Sequence, residues 1–160
     1  MTTTTRSIVA LAVFLALSFA ASAIGGMFTF PAIPGWYQNL EKPSWTPPDA
    51  VFGPVWTVLY IFMAVAAWLV WKRGGWTAQR GPLTLWGVQL VLNSLWSILF
   101  FGMRNPALGL MGIVILWLAI LATLIAFWTV SRLSGGLLIP YLAWVSYASA
   151  LNYSIFRLNG

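Results

Sequence analysis

The sequence predicts an all-α membrane protein, a bundle of five transmembrane helices with a tryptophan- and proline-rich loop between the first two. Of its 160 residues, 61% are hydrophobic and only 6% are charged, whereas soluble domains carry about 25% charged residues. Five windows also reach the roughly 20 apolar residues that a spanning helix needs. They lie near residues 7–27, 51–71, 82–103, 106–130 and 135–157. They use most of the chain, so we expect residues 1–160 to form a single transmembrane domain.

The first window shares some features with a secretory signal peptide. Arg6 precedes the apolar run, and residues 21–23 have the A-x-A arrangement of a cleavage site. The apolar run nevertheless continues to Phe30, which is longer than a signal peptide needs. We therefore expect a retained helix, in which small residues such as Gly25 and Gly26 let another helix approach closely.

Residues 36–60 are the most polar and most rigid part of the chain. They contain both acidic residues, Glu41 and Asp49, with four of the nine prolines and three of the eleven tryptophans. Proline fixes φ and biases the preceding residue toward extended conformations. Most of this segment is therefore expected to be a stiff loop that forms a lid or a wall of a site. The second helix should begin either after an Asp49 cap or with Pro54 at its first position.

The links between the later helices are short. Residues 72–81, 101–106 and 131–136 make these connections, so sequential helices should be antiparallel neighbours. Five of the eight Lys and Arg residues fall on the N-terminal side of the membrane and three on the other. The positive-inside rule then places the N-terminus inside and the 36–49 loop outside. A bacterial-type cell membrane is expected, because the N-terminus does not read as an arginine-rich transit peptide.

Composition excludes several classes of function. The eight basic residues are scattered singly at helix ends, so the net charge of +6 does not indicate nucleic-acid binding. The chain has no histidine or cysteine, and no acidic residue lies within a predicted helix. Zinc, haem or iron–sulfur ligation by His or Cys and Ser-His-Asp or Cys-His catalysis are therefore excluded, and proton relays are not expected. We predict no metal site, no required cofactor and no conventional enzyme.

Three predicted helices carry aromatic or polar faces at helical spacing. In the third, Trp86, Gln89 and Asn93 share a face that should point inward, because amide side chains are costly against lipid. These amides either hydrogen-bond to neighbouring helices or contact a ligand. The other two faces consist of Trp56, Tyr60, Met63 and Ala67 in the second helix, and Tyr141, Trp144, Ala148 and Leu151 in the fifth.

An aromatic face at this spacing is more often core packing than a binding site. Three such faces under a tryptophan- and proline-rich loop instead favour a flat, apolar, polycyclic ligand that stacks on indole rings. Asn93 or Gln89 would then orient one polar group of that ligand, as is usual in small-molecule sites.

The end of the fifth helix has the spacing of a proposed cholesterol-contact pattern, carried by Leu151, Tyr153 and Arg157. Patterns of this kind are weak indicators of sterol binding. The alternative is that Tyr153 and Arg157 anchor the helix end at the membrane interface.

Six motifs follow one another through the predicted helices and cover nearly the whole chain. They are Trp36-Tyr37-x-x-Leu40-x-Lys42-Pro43-x-Trp45-x-Pro47-Pro48, Pro54-Val55-Trp56-x-x-Leu59-Tyr60, Gln89-Leu90-x-Leu92-Asn93, Phe100-Phe101-Gly102, Pro140-Tyr141-Leu142-Ala143-Trp144 and Leu151-Asn152-Tyr153. Together they resemble the translocator protein / tryptophan-rich sensory protein (TspO/MBR) family, and the first string is specific to it. The resemblance implies a five-helix membrane protein, usually a homodimer, that binds porphyrins and isoquinoline carboxamides beneath the first loop.

The resemblance also implies roles for individual residues. Trp56 and Trp144 match a pair tied to ligand contact and to light-dependent porphyrin breakdown, which makes them the candidate catalytic residues. Tyr37, Asn93 and Ala148 match other pocket positions, and the proposed cholesterol motif matches Leu151, Tyr153 and Arg157. We also count Leu151 among the ligand contacts, because it shares a helix face with Trp144 and Ala148. The chain departs from animal relatives at Leu108, where they carry a pocket tryptophan.

Three functions remain open at this point. The first is a membrane receptor or carrier for tetrapyrroles, possible sterol binding included, with Lys42 or Arg104 pairing the porphyrin carboxylates. The second is light-driven oxidation of bound porphyrin by Trp56 or Trp144. The third is a non-catalytic membrane scaffold whose aromatic faces only pack helices. A homodimer in membrane lipid is expected, with Gly109 and Gly112 among the small residues available for helix contact.

Overall fold

The computed structural model describes residues 2–160, so Met1, the first residue of the predicted 1–160 domain, lies outside the described residues. Those residues are largely helical and contain no β-strand. Five helices are long: α1 (Thr3–Ala32), α2 (Asp49–Trp71), α4 (Arg80–Ser97), α5 (Pro106–Val130) and α7 (Ile139–Asn159). Two short helices, α3 (Gly75–Ala78) and α6 (Arg132–Leu137), lie in the links. With their helical extensions, α1, α2, α4 and α5 are long and apolar enough to cross a membrane, while α7 has 21 residues.

The first helix is longer than the predicted 7–27 window. It begins at Thr3, where the Thr2 hydroxyl accepts a hydrogen bond from the Thr5 amide, and it continues through Pro31. Proline lacks the N–H that would bond four residues back, and the chain widens beyond it into a π-helical turn, Ile33–Tyr37. A second π-helical turn, Ile98–Gly102, extends α4. Neither turn was predicted, because hydropathy does not distinguish π from α geometry.

Both predicted starts for the second helix are wrong. Asp49 is the first residue of α2 and not its cap, and Pro54 lies inside the helix. Pro48 occupies the capping position and has an extended backbone. The Asp49 carboxylate instead accepts a hydrogen bond from Gln38 Nε2 at 2.6 Å, which connects the loop to the start of α2.

The predicted 135–157 helix is interrupted at Leu138. Ser131 caps α6 with its hydroxyl, and α6 ends at Leu137, so most of the expected 131–136 link is helical. Pro140 lies in the first turn of α7, where its missing N–H requires no helical partner. The break follows from this preference of proline for the start of a helix.

The long helices form a ring in the order α2, α1, α4, α5 and α7, and α6 packs back onto α2. The Ser94 hydroxyl donates to the Ala21 carbonyl at 3.0 Å where α4 crosses α1. Gly109 and Gly112 on α5 are buried against the second π-helical turn and the end of α4, so they serve packing within the chain. Contacts between α2 and α7 are mainly aromatic, and a cavity lies beside these contacts, on the side nearest residues 38–48.

Candidate functional site

A cavity of about 200 Å³ lies between the ends of α1, α4 and α7 and the start of α2. It sits in the half of the bundle nearest residues 38–48. The six residues predicted as ligand contacts all line it: Tyr37, Trp56, Asn93, Trp144, Ala148 and Leu151. The structure thus brings together residues from four separate segments. Their role in ligand binding remains a prediction.

Aromatic rings form most of the walls between α2 and α7. Phe52 packs edge-on against Trp144 with ring centroids 6.0 Å apart, and Trp56 packs edge-on against Tyr141 at 6.3 Å. Trp56 also lies beside Tyr60, with centroids 5.7 Å apart and planes inclined by 34°. These rings hold the two helices apart, which leaves space between them for the cavity.

A directed chain of hydrogen bonds runs from the cavity into the core. The Tyr60 hydroxyl donates to Asn93 Oδ1 at 2.8 Å, and Asn93 Nδ2 donates to the Tyr141 hydroxyl at 2.7 Å. Tyr141 in turn donates to Gln89 Oε1 at 2.7 Å, and Gln89 Nε2 donates to the Trp86 carbonyl at 2.9 Å. The amides of the third predicted helix therefore do bond to neighbouring helices. Asn93 also lines the cavity, so the two alternatives considered for it are compatible.

A third amide side chain, Asn152, stabilises the cavity wall where α7 meets the end of α4. Its Oδ1 accepts from Trp96 Nε1 at 3.0 Å, and its Nδ2 donates to the Pro106 carbonyl at 2.9 Å. Trp96 in turn stacks on Phe100, with centroids 5.5 Å apart. These bonds tie α7 to the end of α4 and the start of α5, and they hold the Trp96 indole at the cavity wall.

Two buried donors at the cavity have no hydrogen-bond acceptor among residues 2–160. They are the Trp144 Nε1 and the Tyr37 hydroxyl. A buried polar group without a partner costs about 1–3 kcal/mol. Both groups belong to residues that line the cavity, so a ligand with acceptor atoms is suited to this wall.

Contacts with α7 fix the position of residues 38–48. The Asn159 amide brackets Glu41, accepting from its backbone N–H at 3.0 Å and donating to its carbonyl at 2.8 Å. Trp45 packs edge-on against Tyr147 with centroids 5.5 Å apart, and the Tyr147 hydroxyl donates to the Trp45 carbonyl. Tyr37 and Asp49, at the two ends of this loop, line the cavity, whereas none of residues 38–48 does. A role of the loop as a lid remains a prediction.

The expected cationic partners for ligand carboxylates are absent from the cavity lining. The Lys42 ammonium donates to the Tyr37, Gln38 and Leu40 carbonyls at 2.7, 3.3 and 3.1 Å. It caps the end of the first π-helical turn, because carbonyl groups there lack helical partners. Arg104 is exposed, and neither residue lines the cavity. Leu108, the departure from animal relatives, does not line it either.

The proposed cholesterol pattern is divided between two faces of α7. Leu151 is buried and lines the cavity, whereas Tyr153 is 48% exposed on the outside. Arg157 is exposed and lies next to Tyr153, with Nη1 at 3.3 Å from its hydroxyl. Residues two apart on a helix point in different directions, so the three side chains do not form one surface.

Several lining residues were missed at the sequence level. They come from α1, from the first turns of α2 and from the second π-helical turn: Ser22, Gly25, Gly26, Thr29, Phe30, Phe52, Gly53, Thr57, Phe100 and Phe101. The small residues of α1 gave a signal, but it indicated close helix packing, and Phe100 and Phe101 were noted only as a family motif. Among residues 2–160, no group of three or more His, Cys, Asp or Glu residues is placed to hold a metal ion.

Comparison with known proteins gives a consistent result along nearly the whole chain. Residues 12–158 match the model of the TspO/MBR family. The tryptophan-rich protein TspO of Chlorobaculum tepidum is 43% identical over 158 residues, covering 96% of this chain and 98% of the relative. Protein CrtK of Rhodobacter capsulatus is 40% identical over 159 residues, covering 96% and 94%. The human translocator protein is 44% identical over 126 residues, covering 78% and 75%.

Proposed function

This chain belongs to the TspO/MBR family, and we propose that this multi-pass membrane protein binds a porphyrin in the cavity beneath residues 38–48. Through that binding it acts in tetrapyrrole transport, sensing or stress response. The observation that carries the proposal is the joint lining of one cavity by the Trp56, Trp96 and Trp144 indoles. Aromatic faces of this kind stack on flat conjugated ligands. The names of relatives, translocator protein and tryptophan-rich sensory protein, support the same direction.

In this proposal α7 is the fifth span of a single transmembrane domain. Its 21 residues reach about 30 Å, the thickness of a hydrocarbon core. Its polar groups are compatible with lipid, because the Ser146 and Ser149 hydroxyls donate to carbonyls of their own helix at 2.8 and 2.7 Å. Asn152 is 1% exposed. The same proposal has the protein in a bacterial-type cell membrane, with its N-terminus on the inner side, and two copies forming a homodimer.

The polar groups of the porphyrin are recognised by neutral donors in this proposal. Trp144 Nε1 and the Tyr37 hydroxyl are buried beside the cavity and have no acceptor among residues 2–160. A carboxylate or a ring nitrogen of the ligand supplies that acceptor. Lys42, whose donors already meet three carbonyls, is not required.

The size of the cavity sets a condition on binding. Its volume of about 200 Å³ is below the roughly 300–1,000 Å³ of sites that enclose a drug-sized ligand. A tetrapyrrole is accommodated only when bordering side chains move, or when part of the ring remains outside. A sterol is less well suited, because Tyr153 and Arg157 face away from the cavity.

Filling the cavity tests the proposal. Ala148 is 9% exposed and lines the cavity, so Ala148→Phe should abolish saturable binding of protoporphyrin IX in the dark. Ala143→Phe is the matched control, because Ala143 is exposed on the same helix. Binding is read from the porphyrin absorbance of the detergent-solubilised protein. Equal binding by the two variants, or no saturable binding by the wild type, would refute the proposed site and favour the scaffold function.

A second function, light-driven oxidation of the bound porphyrin, is supported by the aromatic pairs at the cavity. Trp144 stacks on Tyr147 with centroids 5.8 Å apart, and Trp56 lies 5.7 Å from Tyr60. In this reaction the porphyrin is oxidised and dioxygen is reduced, while Trp56 or Trp144 relays the electron and returns to its starting state. Illumination in air should give a new absorbing product that is missing without oxygen. Breakdown at the same rate with free porphyrin would refute it.

A further inference from the structure

On the loop side of the cavity, several contacts hold residues 38–48 in place. Glu41 is bracketed by the Asn159 amide, and Trp45 is held on Tyr147. Gln38 Nε2 donates to the Asp49 carboxylate at 2.6 Å, which closes the same edge of the loop. A ligand entering past the loop has to break these contacts.

The cavity also reaches the side of the bundle, between α1 and α2. Phe30 lines the cavity and yet is 70% exposed, whereas Tyr37 and Asn93, which line the interior, are each 2% exposed. Gly53 and Thr57 on α2 likewise line the cavity and are exposed. Residues that belong to both the cavity wall and the outer surface mark an opening.

The residues around this opening leave free space and present no unpaired hydroxyl group. A Cβ atom added at Gly53 would meet nothing within 4 Å. The Thr57 hydroxyl donates to the Gly53 carbonyl at 2.8 Å, and the Thr29 hydroxyl donates to the Gly25 carbonyl at 2.8 Å. Both hydroxyls are therefore satisfied within their own helices, which is the condition for facing hydrocarbon.

One side chain at the rim has little holding it in place. The Phe30 ring lies over Gly26, where an added Cβ atom would come within 2.9 Å of Phe30 Cε2. Pro31 follows directly and interrupts the hydrogen bonding of α1. Exposed side chains change rotamer within nanoseconds, so rotation of the Phe30 ring would widen the opening without moving the helices.

We propose that ligands enter and leave the cavity sideways, from the bilayer, through the opening bounded by Gly26, Phe30, Gly53 and Thr57. The position on α2 supports a membrane-facing opening, because Thr57 lies about 12 Å along the helix from Asp49. The site is thereby supplied with molecules that partition into lipid. This proposal rests on the proposed function, since it describes how the same cavity is filled.

Kinetics in vesicles distinguish the two routes. Gly53→Leu narrows the opening from the α2 side and should slow both association and dissociation of protoporphyrin IX by about tenfold, which corresponds to about 1.4 kcal/mol in the barrier. Because Gly53 also lines the cavity, the test is the fall in both rates: a loss of binding contacts alone would instead accelerate dissociation. Phe30→Ala should accelerate both rates. Gly81→Leu is the matched control, since Gly81 is exposed and also has nothing within 4 Å of an added Cβ atom.

The loop route predicts the opposite pattern. Asn159→Ala releases Glu41 and would accelerate association if ligands passed the loop. Acceleration by Asn159→Ala together with unchanged rates for Gly53→Leu would overturn the lateral route. Absence of saturable binding by the wild-type protein would instead count against the proposed function, and the equilibrium titration shows this before any rate is measured.

A readout without porphyrin tests the opening independently. The chain has no cysteine, so a spin label attached to the single thiol of Thr57→Cys reports one position only. Power saturation should show greater collision with oxygen, which dissolves in lipid, than with a water-soluble nickel chelate. A greater collision rate with the nickel chelate would place the opening in water and refute the proposal.

Discussion

Replacing Tyr141 by Phe tests whether the buried hydrogen-bond chain holds the helices around the cavity. Tyr141 is fully buried, and its hydroxyl accepts from Asn93 Nδ2 and donates to Gln89 Oε1, each at 2.7 Å. Its loss leaves two buried groups without a partner. Interhelical hydrogen bonds in a bilayer average about 0.6 kcal/mol, and buried unsatisfied groups in soluble proteins cost about 1–3 kcal/mol. We expect a loss of about 2 kcal/mol, or about 1 kcal/mol for each group.

Two further Tyr→Phe variants allow the loss of stability to be compared between positions. Tyr60→Phe removes the single bond to Asn93 Oδ1, so we expect a loss of about 1 kcal/mol by the same reasoning. Tyr153→Phe removes only a 3.3 Å contact with Arg157 at an exposed position, and its effect should stay within about 0.5 kcal/mol. The free energy of unfolding in detergent micelles measures all three. Equal effects for the three variants, or no effect for Tyr141→Phe, would refute a role of this chain in stability.

Two other predictions concern packing and the loop. Gly109→Ala should destabilise the folded protein by about 1–3 kcal/mol, because the new Cβ atom would lie 2.7 Å from Phe100 Cδ2. Gly87→Ala is the control, because its new Cβ atom would meet nothing within 4 Å. It should leave the stability unchanged or raise it by up to about 1 kcal/mol. Thermal unfolding compares the two, and equal melting temperatures would contradict the close approach of α5 to the second π-helical turn. Asn159→Ala should increase hydrogen exchange of the amides in residues 38–48, because Glu41 loses both backbone bonds to α7. Unchanged exchange would contradict a role of the Asn159 bonds in holding the loop.

The all-helical membrane architecture was predictable, because a bilayer requires helices that are apolar in composition and long enough to cross it. The inward direction of Gln89 and Asn93 was predictable for the same reason, since amides avoid lipid. Both are buried, at 1% and 2% exposure. The family was predictable from the motif around Trp36, and it is confirmed by the match over residues 12–158.

Local backbone geometry was harder to predict. The π-helical turns at Ile33–Tyr37 and Ile98–Gly102 leave no periodic signal in residues that are apolar on all sides. The start of α2 depends on Asp49 bonding to Gln38 rather than capping the helix, which is a choice between two local partners. The expectation that Lys42 pairs with ligand carboxylates rested on its charge alone. The sequence does not show that the carbonyl groups at the end of the first π-helical turn lie within its reach.

The candidate site was partly predictable. Tyr37, Trp56, Asn93, Trp144 and Ala148 all line the cavity, and helical spacing or motif position singled out each of them. The contribution of α1 was not predictable, because its lining residues are mostly small or apolar and resemble ordinary helix contacts. Only the packing of α1 against α2 shows that some of them, such as Phe30, face both the cavity and the surroundings.

The most direct test of porphyrin binding at this cavity is a dark titration of three proteins with protoporphyrin IX. These are the wild type, the double variant Trp56→Leu/Trp144→Leu, and Trp76→Leu, whose indole is 52% exposed and outside the cavity. Each lost aromatic contact is worth about 0.5–1.5 kcal/mol, so the double variant should weaken binding by about 5- to 150-fold. The wild type and Trp76→Leu should bind equally and saturably. Unchanged affinity in the double variant would contradict porphyrin binding at this cavity.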